Sequence, residues 1–126
     1  ELMARSGYFA GPWDRFLLAK RRAERAARGL IDLGLQSGRM TVVQAQELLL
    51  RVGYRPAVAG SVVTKYLLRP GYQICYTLGL KQGLDLLDRC GEHDFGLFAR
   101  TLLSQGEIGF DRLAKILPGA LQRSQP

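Results

Sequence analysis

The stretch Lys65-Tyr66-Leu67-Leu68-Arg69-Pro70-Gly71-Tyr72-Gln73-Ile74-Cys75-Tyr76-Thr77-Leu78-Gly79 places three tyrosines, an arginine and a Pro-Gly break between two segments of helical pattern. Pro70 has no amide hydrogen and biases Arg69 away from helical backbone angles, so the preceding helix is expected to end by Leu68. Gly71 lets the chain re-aim, and a new helix is expected from near Tyr72. On that helix Tyr72 and Tyr76 lie one turn apart on a shared face. Gly79 and Gly83 extend the stripe to within about 40° of it, at roughly 100° per residue. Two tyrosines and two glycines on one stripe would admit a second helix at close range or line a polar cleft. The plainer reading is an amphipathic core face whose hydroxyls find partners at the rim. Tyr66 and Arg69 at a helix end equally suit the capping of carbonyls.

Working outward, Pro56 suits the first turn of the helix that reaches Leu68, because its missing amide has no partner there anyway. Thr41 with Gln44 three residues on makes a capping box. It opens a helix to about residue 52 that buries Val42, Ala45, Leu48 and Leu49 and is closed by Gly53. The longest helical pattern covers residues 13 to 36, with Phe16, Leu17, Ala23, Ala27, Leu30 and Ile31 at steps of three and four. Arg15, Arg22 and Arg25 take its polar side, and Gly34 and Ser37-Gly38 are its stop signals. Residues 1 to 12 are the frayed end of a helix and a turn, punctuated by Gly7, Gly11 and Pro12.

Downstream, Leu80, Leu84 and Leu87 carry the Tyr72 helix to about Arg89, and Gly91 closes it. Asp94 is a suitable N-cap for a helix over residues 95 to 104, with Leu97, Phe98, Leu102 and Leu103 as its apolar side. Gly106 breaks that helix, and a short one follows from residue 110 to 117. Pro118-Gly119 is expected to end it, leaving a loose tail after Gln122. The β-prone pairs Val42-Val43 and Val62-Val63 sit inside helical patterns. The expected fold is all-α: a single domain of about six helices over residues 1–126.

Composition bounds the function. A chain of 126 residues suits one domain with a modest core. With 47% hydrophobic and 23% charged residues and a mean hydropathy of −0.04, it is globular rather than disordered. No apolar run nears the roughly 20 residues that span a bilayer, and no signal-peptide pattern opens the chain. A cytoplasmic location without membrane contact is therefore the expectation. The chain starts at Glu1 rather than methionine, which suggests a fragment. The net charge is +7, from 18 Lys and Arg against 11 Asp and Glu. The cations are spread along the chain with one dense run, residues 20 to 28, which a solvated helix face explains. A nucleic-acid interface ranks last, because that helix offers little beyond Trp13 to meet bases. Cys75 and Cys90 make neither a disulfide framework nor a zinc pattern, and Cys75 is expected as a small buried residue. His93 is the one histidine, so no zinc site is expected within this chain.

Several segments together carry a resemblance. Arg25-Ala26-Ala27-Arg28 runs through Gly29-Leu30-Ile31-Asp32-Leu33-Gly34-Leu35-Gln36 into Gly38-Arg39-Met40-Thr41. Lys65-Tyr66, Pro70-Gly71, Tyr76 and Gly79 follow at fixed spacing. Phe98-Ala99-Arg100-Thr101-Leu102-Leu103-Ser104-Gln105-Gly106-Glu107-Ile108 closes the set, and Glu1-Leu2-Met3 opens it. In this unbroken order they resemble the C-terminal part of a bacterial family catalogued as domain of unknown function 885, whose members look like zinc metallopeptidases of the gluzincin type.

The resemblance implies the helical C-terminal part of a zinc-peptidase-like fold. The family's His-Glu-x-x-His-like motif and its further glutamate ligand lie upstream, so no cofactor is expected in this chain and zinc only in a longer parent. It also implies that Tyr66 and Tyr76 line a cleft opposite the metal and serve a developing oxyanion. Arg69 and Arg28, with Tyr72 beside them, would hold a substrate carboxylate. The implied partners are a peptide substrate or a missing N-terminal half, and this chain alone would be inactive. Four positions depart from the pattern. Gln36 stands for a histidine, Ala99-Arg100 for His-Asp, and Tyr72 for a glutamine, which points to altered specificity or lost activity. The alternative is a non-catalytic helical module that binds a protein in the groove beside Tyr72 and Tyr76. A face left uncovered in a fragment would favour a homodimer.

Overall fold

The computed structural model describes residues 2–9, 11–91 and 94–123. Among them are seven helices and no strand: α1 (Leu2–Arg5), α2 (Pro12–Gln36), α3 (Val42–Arg51), α4 (Pro56–Leu68), α5 (Ile74–Arg89), α6 (Phe95–Ser104) and α7 (Phe110–Arg123). The fold is all-α, as expected, and the seventh helix is the short α1 in the segment read as a frayed end. No described helix is long and apolar enough to cross a membrane. The helices gather into two compact units, residues 11–79 and residues 1–10 with 80–126, the boundary falling inside α5 after Gly79. The whole charge excess belongs to the first of these. Residues 11–79 carry 11 Lys and Arg against 4 Asp and Glu, whereas the remainder carries 7 of each.

In the unit of residues 11–79, α2 starts at Pro12, and the Asp14 carboxylate accepts the Gly11 amide at 3.2 Å. Gly34 is not a stop signal. It lies inside α2, where its carbonyl accepts the amides of Arg39 and Met40 at 2.9 and 3.0 Å as the chain folds back. A side chain there would bring its Cβ within 2.8 Å of the Met40 Cβ, so the reversal needs glycine for closeness. The Thr41–Gln44 capping box forms as expected, with the Thr41 amide on Gln44 Oε1 at 2.9 Å and the Gln44 amide on Thr41 Oγ1 at 3.3 Å. The core consists of Ile31, Ala45, Leu49, Ala59, Val63 and Tyr66, with Leu35, Met40, Leu48, Tyr54 and Val62 packed against it. Each fully buried aliphatic side chain contributes about 1.5–3 kcal/mol. Phe16, Leu17, Leu30 and Val42, expected on core faces, are exposed instead. The cluster draws Ile31 from α2 and Ala45 and Leu49 from α3, and leaves those four outside it.

In the other unit Asp94 caps α6 by accepting the Leu97 amide at 2.8 Å. Its core is Leu86, Cys90, Phe98, Leu113, Leu117 and Leu121. Leu103, expected on the apolar side of α6, is exposed. Pro118 does not end the last helix, which continues through it to Arg123. The apolar positions 113, 117 and 121 recur one turn apart and all are buried, so packing carries the helix past the lost hydrogen bond. Cys75 is exposed, its thiol donating to the Gly71 carbonyl at 3.2 Å, and Cys90 is the buried cysteine. His93 lies outside the described residues.

Candidate anion-binding cleft

The Pro-Gly break closes α4 at Leu68 as expected, and residues 70–73 form a turn before α5. The helix starts at Ile74, two residues later than the sequence suggests, because a carboxylate on α2 captures the backbone between. Asp32 Oδ1 accepts the Gly71 amide at 3.0 Å, and its Oδ2 accepts the amides of Gln73 at 2.8 Å and Ile74 at 3.3 Å. Asp32 is only 1% exposed. It acts as an N-cap supplied from another helix, satisfying amides that have no partner within α5 and setting a negative charge at the positive end of that helix.

Close approach of α2 and α5 occurs at Gly29. A Cβ there would lie 3.1 Å from Thr77 Oγ1 and 3.6 Å from the Ile74 Cα. The Gly79 position of the tyrosine–glycine stripe instead faces open space.

These constraints place Arg28 against the turn. Its Nε donates to Gln73 Oε1 at 3.0 Å and its Nη2 donates to the same oxygen. The guanidinium lies 5.2 Å from the Tyr76 ring centre and 5.9 Å from that of Tyr66, within the range of cation–π attraction. Tyr72 and Tyr76 meet edge to face with ring centres 5.8 Å apart, and the Tyr76 hydroxyl donates to that of Tyr72 at 3.1 Å. The hydrogen bond within this pair, and the charge the pair would have to share, hold the Tyr72 phenol above its ordinary value.

Around these groups opens a cleft of about 580 Å³. Arg28, Lys65 and Arg69 line it with Tyr54, Tyr66, Tyr72 and Gln73, and no Asp or Glu is among its lining residues. Tyr66 is the buried phenol of the set. Burial pushes it up to about 12, the neighbouring Arg28 cation pulling the other way and Tyr54 adding to the rise. It therefore remains a hydrogen-bond donor throughout the neutral range. Gln36, at the position where the resemblance expects a histidine, donates from Nε2 to the Tyr66 carbonyl at 3.4 Å and so serves the end of α4.

Of the residues singled out from sequence, Arg28, Tyr66, Arg69 and Tyr72 line one cleft. Tyr76 is not among the lining residues; it is exposed and stands against Arg28 and Tyr72. Arg100 is exposed on α6, in the unit of residues 80–126, and takes no part. Asp32, Tyr54, Lys65 and Gln73 were not foreseen. Asp32 had left a signal, as a lone acid inside the otherwise apolar run Leu30-Ile31-Asp32-Leu33. Among the described residues no three His, Cys, Asp or Glu side chains come together in a way that could hold a metal ion.

One family model matches residues 1–117, that of a bacterial protein of unknown function, DUF885. No curated protein and no solved structure matches the chain. Since the family match takes in all seven helices but for the last turn and a half of α7, the chain belongs to the DUF885 family.

Proposed function

We propose that this chain is the substrate-side helical portion of a zinc metallopeptidase-like protein, and that its cleft receives a carboxylate of a peptide. The observation that carries the reading is how Arg28 is held. Its orienting partner is the neutral amide oxygen of Gln73, whereas the nearby acid, Asp32, is engaged by three backbone amides. The guanidinium is therefore fixed in place without being neutralised. Lys65 and Arg69 add charge of the same sign to the same cleft. Three cations beside phenol donors suit an anion, and a planar carboxylate suits the fork of an arginine.

In this reading Arg69 and Lys65 draw the carboxylate in, Arg28 fixes its orientation, and the protonated Tyr66 hydroxyl donates a hydrogen bond to the ligand. The roles of this chain are binding, orientation and hydrogen-bond donation. Where peptide hydrolysis is measurable, Tyr66→Phe should lower turnover about 100-fold, the scale of one oxyanion donor.

The direct test is calorimetric titration with a short peptide bearing a free C-terminal carboxylate and with its C-terminal amide. The free acid is expected to bind at least about 10-fold tighter, since a charge-assisted pair contributes about 1.5–3 kcal/mol. Arg28→Gln should erase most of that difference. Equal affinity for the acid and the amide would sink the reading.

A further inference from the structure

The cleft holds more positive charge than one carboxylate balances. Arg28, Lys65 and Arg69 line it, and no Asp or Glu occurs anywhere between Glu47 and Asp85, so α4 and the turn after it are free of acids. None of the three cations forms an ion pair among the described residues. Asp32 is the acid tied to the turn, buried and held by three backbone amides. Counting it against the three cations still leaves two positive charges, where a single ligand carboxylate supplies one negative. The cations also stand at two places. Arg28 comes from α2, half-buried and fixed by Gln73 Oε1 at 3.0 Å. Lys65 lies in the last turn of α4 and Arg69 at its C-cap, both exposed. The negative end of that helix favours cations, which lets two like charges stand together without an acid. The Tyr72 phenol, raised chiefly by its hydrogen bond to Tyr76, is drawn the other way by Arg69 and Arg28 together, so the inner and outer cations act on one side chain.

A ligand with two anionic groups suits such a cleft better than one with a single carboxylate. We infer that the peptide received here ends in an acidic residue, Asp or Glu, with its α-carboxylate on Arg28 and its side-chain carboxylate on Lys65 and Arg69. The inference rests on the carboxylate reading above and adds a specificity for the terminal side chain. Arg28 suits the α-carboxylate, because a guanidinium held in one orientation offers a two-pronged grip to a planar group. Lys65 and Arg69, exposed and free to rotate, suit a carboxylate whose reach differs by one methylene between Asp and Glu. Val62 and Leu68 line the same cleft and give the methylenes an apolar wall. A terminal Lys or Arg would instead meet charge of its own sign.

Calorimetric titration of the chain with N-acetylated tripeptides at low salt tests this. The probes are Ala-Ala-Glu and Ala-Ala-Gln as free acids, Ala-Ala-Gln as its C-terminal amide, and Glu-Ala-Ala as the free acid. The Glu-terminated acid is expected to bind about 5- to 10-fold tighter than the Gln-terminated acid, the scale of two exposed, partly screened cations. Glu-Ala-Ala, with the same charge in the wrong place, should bind no tighter than the Gln-terminated acid. Lys65→Gln combined with Arg69→Gln should bring the two terminal acids to nearly equal affinity, in a chain whose melting curve is unchanged because both side chains are exposed. Equal binding of the two terminal acids, with the Gln acid still tighter than its amide, overturns the inference and leaves the carboxylate reading standing. Equal binding of the Gln acid and its amide removes that reading and the inference with it. Tight binding of Glu-Ala-Ala, or a preference that survives the double variant, also overturns the inference, because the added charge is then met outside the cleft.

Discussion

Asp32 and Gln73 stand 41 positions apart in the chain and 2.8 Å apart in the structure, the Gln73 amide donating to Asp32 Oδ2. That contact joins the two halves of the cleft. The same carboxylate takes the amides of Gly71 and Ile74, and the Gln73 side chain then turns to hold Arg28.

Replacing Asp32 should therefore cost more than one hydrogen bond. Asp32→Ala strips three backbone donors of their acceptor in a buried place, and the expected loss is about 3–5 kcal/mol in urea unfolding. Asp32→Asn keeps the shape but has only one acceptor oxygen, and it turns an amide donor toward backbone donors. A loss of about 2–3 kcal/mol is expected. In both variants hydrogen exchange at Gly71, Gln73 and Ile74 should speed up more than exchange in the middle of α3. Uniform acceleration across α3 and the turn would show that Asp32 supports the unit generally rather than the turn in particular.

Tyr66 links stability to alkaline pH. Burial pushes its phenol up to about 12 from an ordinary 10.0. Below the lower value both folded and unfolded states hold the proton, and the contribution of Tyr66 is complete. Between the two values only the folded state holds it, so stability falls with rising pH and the contribution is lost above about 12. The fall should be up to about 2 kcal/mol, allowing for solvent screening in the open cleft. Tyr66→Phe should flatten the alkaline limb of the stability curve and remove the latest phenolate from the ultraviolet titration. An unchanged limb in Tyr66→Phe would assign the slope to other tyrosines.

The two cysteines should separate by rate. Cys75 is exposed, whereas Cys90 is 8% exposed in the Leu86–Phe98 core and burial pushes its thiol up. Thiolate is the reactive form, so Cys75 should take up a maleimide at least about 10-fold faster than Cys90 at neutral pH. Denaturant should bring the two rates together. Peptide mapping by mass spectrometry identifies the faster site, and equal native rates would mean that the α5–α6 junction opens freely.

What the sequence disclosed was local. The Thr41–Gln44 box, Pro56 at the start of α4, Asp94 before α6 and the close of α4 at Leu68 each depend on residues within one turn, and all are found as expected. The contacts that build the cleft span 39 to 45 positions, and no periodicity reports them. No spacing in the sequence reports that Arg28, Tyr66, Arg69 and Tyr72 share one cleft. The orientation of α5 was equally beyond local rules. Cys75 lies on an apolar helix, and only the docking of that helix at Gly29 decides which of its faces is covered. The charge excess looked diffuse along the chain because its concentration in residues 11–79 is visible only once the unit boundary is known.

The course of α7 shows packing prevailing over a local stop signal. Pro118 cannot donate to the Ala114 carbonyl and its ring crowds that turn, a cost of about 3 kcal/mol in an isolated helix. Against it stand Leu113, Leu117 and Leu121, each one turn from the next, with Leu117 and Leu121 fully buried. Each buried leucine contributes about 1.5–3 kcal/mol, enough to outweigh the break. Two substitutions should thus act in opposite directions. Leu121→Ala should cost about 2–5 kcal/mol and let the last turn fray back toward Pro118, seen as fast exchange at Gln122 and Arg123. Pro118→Ala restores the missing donor but also loosens the unfolded chain, and a net gain of about 1–2 kcal/mol is expected. A loss in Pro118→Ala would mean that the half-buried proline ring itself fills the core between Leu117 and Leu121, making it a packing residue rather than a tolerated break.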